Sequence, residues 1–326
     1  MKYEFVLIWI LLAVTLIVPL LIFVRYNVNK TYELSKEYTG VVVLKPEEIV
    51  GKIITRDLYG WKILTNETCK RQSDFVLTRI MPVNTAIFVY PSERDIHISR
   101  MIINAGSWEY DLVNKMVLVM KRYPDAVFID IGANIGIYSI TMAALGFRVI
   151  AVDCFIENIR RICASSIHSN LTDNLSIIHN GLSNKRIGLK LIKSTEPNVG
   201  GMGVEQISSP PVTKTNISYV NAILLDDLLE MFLIKTAVLK MDVEKHEEKV
   251  LKGASNFFKN VRVESVLLEF RFHTHKKSGQ FIIDFLDKHG LEPVLPNSIK
   301  HSKYSKWPGD IMWQRKNEEK TTSTLH

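Results

Sequence analysis

The chain has 326 residues, 47% of them hydrophobic, with a formal net charge of +7, which suffices for one sizeable core or one core plus a small extension. The basic residues are scattered, with no long Lys/Arg block and no aromatic-basic alternation, which argues against a nucleic-acid partner. The three cysteines, Cys69, Cys154 and Cys163, have neither the even count of a disulfide framework nor a CxxC metal spacing, and they say little about redox compartment.

From Phe5 to Val24 the sequence contains no charge, and only Thr15 and Pro19 depart from an apolar run. About 20 residues at about 1.5 Å each span about 30 Å, the hydrocarbon thickness of a bilayer. A cleaved signal peptide has an apolar core of about 7 to 15 residues and a small-residue cleavage site, and RYNVNK offers none. The expectation is a transmembrane anchor over residues 1–25, with the lipid bilayer contacted by 5–24. Lys2 on one side faces Arg25, Lys30 and Lys36 on the other, so the charge rule leaves orientation open. Five glycosylation sequons, at Asn29, Asn66, Asn170, Asn174 and Asn216, incline the reading toward a lumenal or extracellular body.

Residues 26–100 mix short apolar runs such as VVVL and AIFVY with charged and turn residues, and read as a stem and N-terminal extension leading into the domain edge. The domain is expected over 101–315, followed by a polar tail at 316–326. Within it MVLVMKRYP closes a helix, AVFIDI is a buried strand, GIYSITMAALG a helix and FRVIAVD a second buried strand. Then come ENIRRICASSIHSN as helix, LSIIHN and TAVLKMD as strands, HEEKVLKGASNFF as helix, ESVLLEF as strand and FIIDFLDKHG as helix. Such alternation implies an α/β doubly wound, mostly parallel sheet.

In such a sheet ligands bind beyond the carboxyl ends of the strands, where a glycine turn lets backbone N–H groups come close. A dinucleotide fold writes that turn G-x-G-x-x-G to hold a pyrophosphate. Here Gly132-Ala-Asn134-Ile-Gly136 lacks the middle glycine, and the carboxylate of Asp130 stands two residues before it. An acid there repels pyrophosphate and suits S-adenosylmethionine, which carries a sulfonium and an ammonium but no phosphate. Asp153, at the end of the second strand, is placed to accept hydrogen bonds from ribose hydroxyls. After a later strand, LKMDVEKHE brings Asp242, Glu244, His246 and Glu247 to the same edge, where acids at a helix N-terminus also serve as caps.

VFIDIGANIGIYSI, LLDDLLE and LKMDVEKHEEKVLKGA resemble the successive motifs of the FkbM-type S-adenosylmethionine-dependent methyltransferases, and SRMIINAGSWE is similar to the segment preceding the first motif in animal members. The resemblance covers residues 90 to 315 and implies a seven-stranded class I methyltransferase sheet and, usually, O-methylation. It assigns Asp130, Gly132, Asn134 and Gly136 to the cofactor loop, Asp153 to the ribose and Asp242 with Glu244 to the acidic motif after the fourth strand. Two positions depart from the family: Lys245 stands where Gly commonly follows the DVE triplet, and Cys154 follows Asp153 where Pro is common.

The function this implies is a membrane-anchored methyltransferase acting on a hydroxyl acceptor, with the methyl group of S-adenosylmethionine transferred in line. Candidates to receive the acceptor's proton are Asp242, Glu244, His246 and Glu269, and the titration of an imidazole near working pH favours His246 among them. Metal assistance by Asp242 and Glu244 is the alternative. Glu109 either faces the cofactor or caps the following helix, and loop 196–203 is either a lid or a flexible connection. Two other classes remain: a nicotinamide-dependent oxidoreductase, disfavoured by Asp130 and the missing glycine, and a membrane-anchored binding protein of the same fold without turnover.

Overall fold

The computed structural model describes residues 52–316 except 58, 65, 193–196, 200 and 208–218, with the side chains of Asn66 and Glu67 also left aside. The expected anchor, the stem up to residue 51, the tail beyond 316 and the sequons at Asn29 and Asn216 lie outside the described residues. Among the described residues no helix is long and apolar enough to cross a membrane. They divide into a short segment, Asp57–Lys62, and one larger unit that holds the rest. Within the short segment the Asp57 carboxylate accepts from the Tyr59 backbone N–H at 2.8 Å and pairs with Lys62.

In chain order the elements are β1 (Ile53–Asp57), β2 (Gly60–Ile63), β3 (Val76–Ile80), β4 (Thr85–Val89), α1 (Ile98–Ala105), α2 (Tyr110–Arg122), β5 (Val127–Ile131), α3 (Ile137–Ala144), β6 (Val149–Asp153), α4 (Ile156–His168), β7 (Leu175–His179), β8 (Gly181–Leu182), β9 (Gly188–Ile192), β10 (Gly203–Ile207) and β11 (Tyr219–Ile223). There follow α5 (Leu228–Met231), β12 (Thr236–Met241), α6 (Glu247–Lys252), α7 (Ser255–Asn260), β13 (Arg262–Glu269), α8 (Lys277–Lys288), β14 (Leu291–Pro293) and β15 (Asp310–Arg315).

All residues of β5 and β6 are buried, as strands covered by helices on both faces must be, and their Val/Ile content follows from that. The main sheet runs β14-β15-β13-β12-β5-β6-β7, with β1 beyond β7. β15 is antiparallel to both of its neighbours, whereas β13, β12, β5, β6 and β7 are mutually parallel. The first seven of these strands follow the class I methyltransferase arrangement that the family resemblance implied, with the reversal of strand order between β5 and β12 that opens a ligand crevice, and β1 extends the sheet beyond the seven expected. A second sheet, β10-β9-β11-β8, follows β7.

The extension read before residue 100 contributes structure of its own from Ile53 onward. Ile53 and Ile54 of β1 pair in parallel with Ile177 and Ile178 of β7. β3 and β4 form an antiparallel hairpin, and the Phe88 N–H donates to Ser165 Oγ of α4 at 2.9 Å. Cys69 and Cys163 form a disulfide across 94 residues, leaving Cys154 free. The odd cysteine count therefore concealed one covalent tie, because only folding brings the extension beside α4.

The run HEEKVLKGASNFF is two helices, α6 and α7, where the sequence suggested one. The break falls at Gly253, where a Cβ would come within 2.2 Å of the Ser183 carbonyl oxygen. Asp226 of LLDDLLE then caps α7, accepting from Phe257 N at 2.6 Å and Asn256 N at 3.1 Å. Asp227 accepts from Leu224 N at 3.0 Å and from Arg186 Nε at 3.0 Å. This motif is scaffold supporting the segment behind β12.

Candidate active site

Parallel strands end together, so one edge of the sheet collects the turn after β5, Asp153 of β6, the segment after β12 and Glu269 of β13. All of these except Glu269 border an open cavity of about 900 Å³, counting the solvent at its mouth. Gly132, Asn134, Asp153, Asp242, Glu244 and His246 all line it. Asp130 and Gly136, also assigned to cofactor binding, are absent from its walls.

Asp130 is fully buried, and its Oδ2 accepts from Ser139 Oγ at 2.6 Å and from Ser139 N at 3.1 Å. It fastens the start of α3 to β5 from behind the cavity wall. Burial pushes its carboxyl up, against the lowering effect of Lys240 and Ser139. Gly136 has φ +90°, and a Cβ there would lie 2.9 Å from Ile162 Cγ1, so its smallness admits α4 rather than a ligand. Gly132 does line the cavity, at φ +77°, but a Cβ on it would lie 1.8 Å from the Asp242 carbonyl oxygen. The glycine lets the end of β12 close against the turn.

Asp153 is held on both oxygens. Oδ2 accepts from Asn134 N at 2.8 Å, and Oδ1 from Phe155 N at 2.7 Å and Asn158 Nδ2 at 3.2 Å. Burial nevertheless raises its pKa to about 6, these hydrogen bonds opposing the shift. The Asn134 side-chain oxygen is buried without a hydrogen-bond partner among the described residues.

Lys240 is a charge inside β12, a strand buried on both faces, and that anomaly in TAVLKM was the available signal for it. Its ammonium donates to the Gly132 carbonyl at 2.9 Å and lies 3.4 Å from Asp242 Oδ2 and 3.9 Å from Asp130 Oδ1. Burial alone would lower its pKa, but Asp242, Asp130 and Glu109 together hold it above the ordinary value. Glu109 faces the cavity; it makes no side-chain cap of α2 and instead accepts from Tyr138 Oη at 2.8 Å. Burial raises its carboxyl, with Lys240 and Tyr138 opposing.

Asp242, Glu244 and Glu269 each offer a carboxylate oxygen, and these oxygens lie within 4.8 Å of one another, a spacing that could hold a metal ion. Burial, then the charges of Asp242 and Glu247, raise Glu244 to about 7. Burial, then Asp242, Glu244 and Glu247, raise Glu269 to about 9. Glu269 is buried behind the cavity wall and pairs with Arg271 at 2.9 Å.

His246 departs from the sequence preference for it as proton acceptor. Its Nε2 lies 3.1 Å from Ser183 Oγ, which also accepts from Gln206 Nε2 at 2.8 Å, and burial lowers its pKa to about 4. Glu247 does not face the cavity: it accepts from Val243 N at 2.9 Å and pairs with His273 at 2.7 Å. Lys245 has φ +78°, the left-handed conformation that suits the family's glycine, and its ammonium sits over the Phe272 ring, 4.8 Å from the centroid, not in the cavity wall. Of loop 196–203, the described Val199 and Met202 line the cavity.

A ligand here meets carboxylates at Asp153, Glu109, Asp242 and Glu244 and one buried ammonium, Lys240. That set fits hydroxyls and cationic groups and opposes a pyrophosphate, in agreement with a sulfonium cofactor. The strand order, with an acid at the end of β6 and an acidic segment after the fourth parallel strand, is that of a class I methyltransferase. The chain matches the Methyltransferase FkbM domain over residues 130–293, and it belongs to that family. The nicotinamide-dependent alternative is thereby set aside.

Among solved structures the chain is similar to the O-methyltransferase from Bacillus cereus in complex with SAH, at 12% identity and TM-score 0.39, covering 65% of this chain and 84% of that one. It is also similar to the magnesium protoporphyrin IX methyltransferase from Synechocystis with bound SAM, at 13% identity and TM-score 0.36, covering 63% and 79%. A third is the precorrin-6y C5,15-methyltransferase from Geobacter metallireducens, at 12% identity and TM-score 0.37, covering 64% and 91%. No curated protein sequence matches the chain.

Proposed function

We propose that this methyltransferase binds S-adenosylmethionine in the cavity and methylates a hydroxyl acceptor at the edge bordered by Asp242 and Glu244. The observation that carries the reading is the opening of Asp153 and the Asp242–Glu244 segment into one cavity, with a donor-acceptor set suited to a ribose and a cation. When bound, the cofactor supplies a methyl group made electrophilic by its sulfonium. Asp153 accepts hydrogen bonds from the ribose, held in place by Asn134 N, Phe155 N and Asn158. Lys240 balances Asp130 and Asp242, so the acidic wall does not self-repel. Val199, Met202 and Val204 supply apolar wall that keeps water from the reacting oxygen.

Glu244, near 7, is the general base for the hydroxyl proton, because a base with a pKa close to working pH combines availability with driving force. His246, near 4, is a weak base by comparison. Titration calorimetry with S-adenosylmethionine, followed by a labelled-methyl screen of hydroxyl-bearing glycans, lipids and small molecules, tests the reading. Absence of heat with the cofactor would refute it; binding without transfer to any acceptor would favour a fold kept for binding alone.

Residues 5–24 anchor the enzyme in a bilayer, with the catalytic body on the lumenal or extracellular side. The disulfide supports this sidedness, since disulfides persist in oxidising compartments. Asn170, the Asn of an Asn-Leu-Thr sequon, is exposed just beyond α4, where a glycan can attach. Glycosidase treatment of protein made in eukaryotic cells, with Asn170→Gln as control, tests it: a cytosolic body shows no mobility shift.

A further inference from the structure

We infer that Tyr90 and Asn158 are positioning residues for cofactor binding, a buried hydrogen-bonded pair that sets the Asp153 carboxylate for the ribose hydroxyls. The inference rests on the reading that Asp153 receives the ribose.

Asn158 is 3% exposed and stands on the first turn of α4. The Tyr90 hydroxyl donates to its Oδ1 at 2.8 Å, and its Nδ2 reaches Asp153 Oδ1 at 3.2 Å. An amide can present either its oxygen or its NH₂ group to a neighbour. Against a carboxylate the oxygen would repel and the NH₂ group donates. A hydroxyl fixed on the opposite side, donating to Oδ1, holds the donating orientation.

Tyr90 is itself immobilised. It is 0% exposed and follows β4 directly. The Arg161 guanidinium lies 3.4 Å from the centroid of its ring, and that of Arg94 lies 5.0 Å away. Arg161, also 0% exposed, is tied to Asp74 Oδ2 at 2.7 Å. The tyrosine oxygen thus has one fixed direction, toward Asn158. This polar chain from Asp74 through Arg161 and Tyr90 reaches Asn158 and Asp153, both in the cavity wall, whereas Tyr90 itself is not, so Tyr90→Phe is the variant that leaves the wall untouched. A tyrosine serving only as filler would need no hydroxyl directed at that amide.

The test is calorimetry on the full chain with S-adenosylhomocysteine and its 2′-deoxy and 3′-deoxy counterparts. The wild type is expected to bind at least one deoxy compound about tenfold more weakly than the parent, the effect of one charge-assisted hydrogen bond. In Tyr90→Phe, which keeps the ring beside the two guanidiniums, and in Asn158→Ala, the parent loses affinity while the deoxy compound does not, so discrimination falls to about threefold or less. Equal weakening of all three ligands, or discrimination left at the wild-type level, overturns the positioning role. Absence of discrimination in the wild type itself would instead refute the ribose assignment of Asp153, and the inference with it. If Tyr90→Phe fails to fold, the same comparison in Asn158→Asp, which keeps the acceptor for Tyr90 and removes the NH₂ donor to Asp153, decides.

Discussion

The Lys240 ammonium donates to the carbonyl oxygen of Gly132 across 2.9 Å, joining the fourth parallel strand of the core to the turn after the first. The same ammonium stands between Asp130 and Asp242, so one buried charge couples the turn to the acidic edge. Replacing it with a neutral side chain of similar length leaves two carboxylates without their cation. Lys240→Met should lower folding stability by about 3 to 5 kcal/mol, the usual cost of removing one partner of a buried charge pair. Adding Asp130→Asn should recover part of that loss. Urea titration of the two variants checks both outcomes.

The rate of methyl transfer should rise with pH and level off above about 7, because Glu244, raised to about 7, must be ionised to accept a proton. Glu244→Gln should lower kcat by about 10²-fold or more and remove that limb. His246→Gln should keep it, since His246 titrates near 4. A pH-rate profile whose midpoint moves in the histidine variant and not in the glutamate variant would reverse the assignment.

Stability should follow pH in the opposite sense. Glu244 and Glu269 titrate near 7 and 9 in the folded chain and near 4.3 when unfolded. The folded state therefore binds more protons across that interval, and stability falls as pH rises from about 4.3 toward 9. Glu269→Gln, which cannot ionise, should flatten the decline. Thermal unfolding measured at a series of pH values tests the slope.

Activity should survive chelation. Asp242, Glu244 and Glu269 have the spacing for a cation, but Lys240 lies 3.4 Å from Asp242 and Glu269, raised to about 9, is protonated near neutral pH, so little negative charge is left to hold one. Methyl transfer unchanged after EDTA treatment and on adding Mg²⁺ is the expected result. Loss on chelation with recovery by a divalent cation would make the three acids ligands.

The disulfide should carry a large share of the stability of the extension. Closing a loop across 94 residues contributes about 4 to 5 kcal/mol by the loop-entropy relation. Cys163→Ser should show a loss of that order in denaturant titration, and Cys154→Ser should show little by comparison.

The alternation of buried strands and amphipathic helices was legible because each strand of a parallel sheet is covered on both faces and must be apolar along its length. Asp153, Asn134, Gly132 and the Asp242–Glu244 pair could be placed at one edge for the same reason, since parallel strands end together. The missing middle glycine and the acid at Asp130 already set this turn apart from a pyrophosphate-binding one, although Asp130 itself faces Ser139 and not the cavity.

What the linear order withheld was distance between segments far apart in the chain. Asp130 and Gly136 belong to the cofactor motif by spacing, yet one holds Ser139 and the other makes room for Ile162. Nothing local distinguishes a glycine open to a ligand from one closed by a helix. The pairing of Cys69 with Cys163, the close approach of the Ser183 carbonyl to Gly253 and the reach of Tyr90 to Asn158 all depend on contacts across tens of residues. The choice between His246 and Glu244 was likewise made by burial and neighbouring charge. Those quantities exist only once the chain is packed, because desolvation and Coulomb interaction depend on what surrounds a group in space and not on its neighbours in sequence.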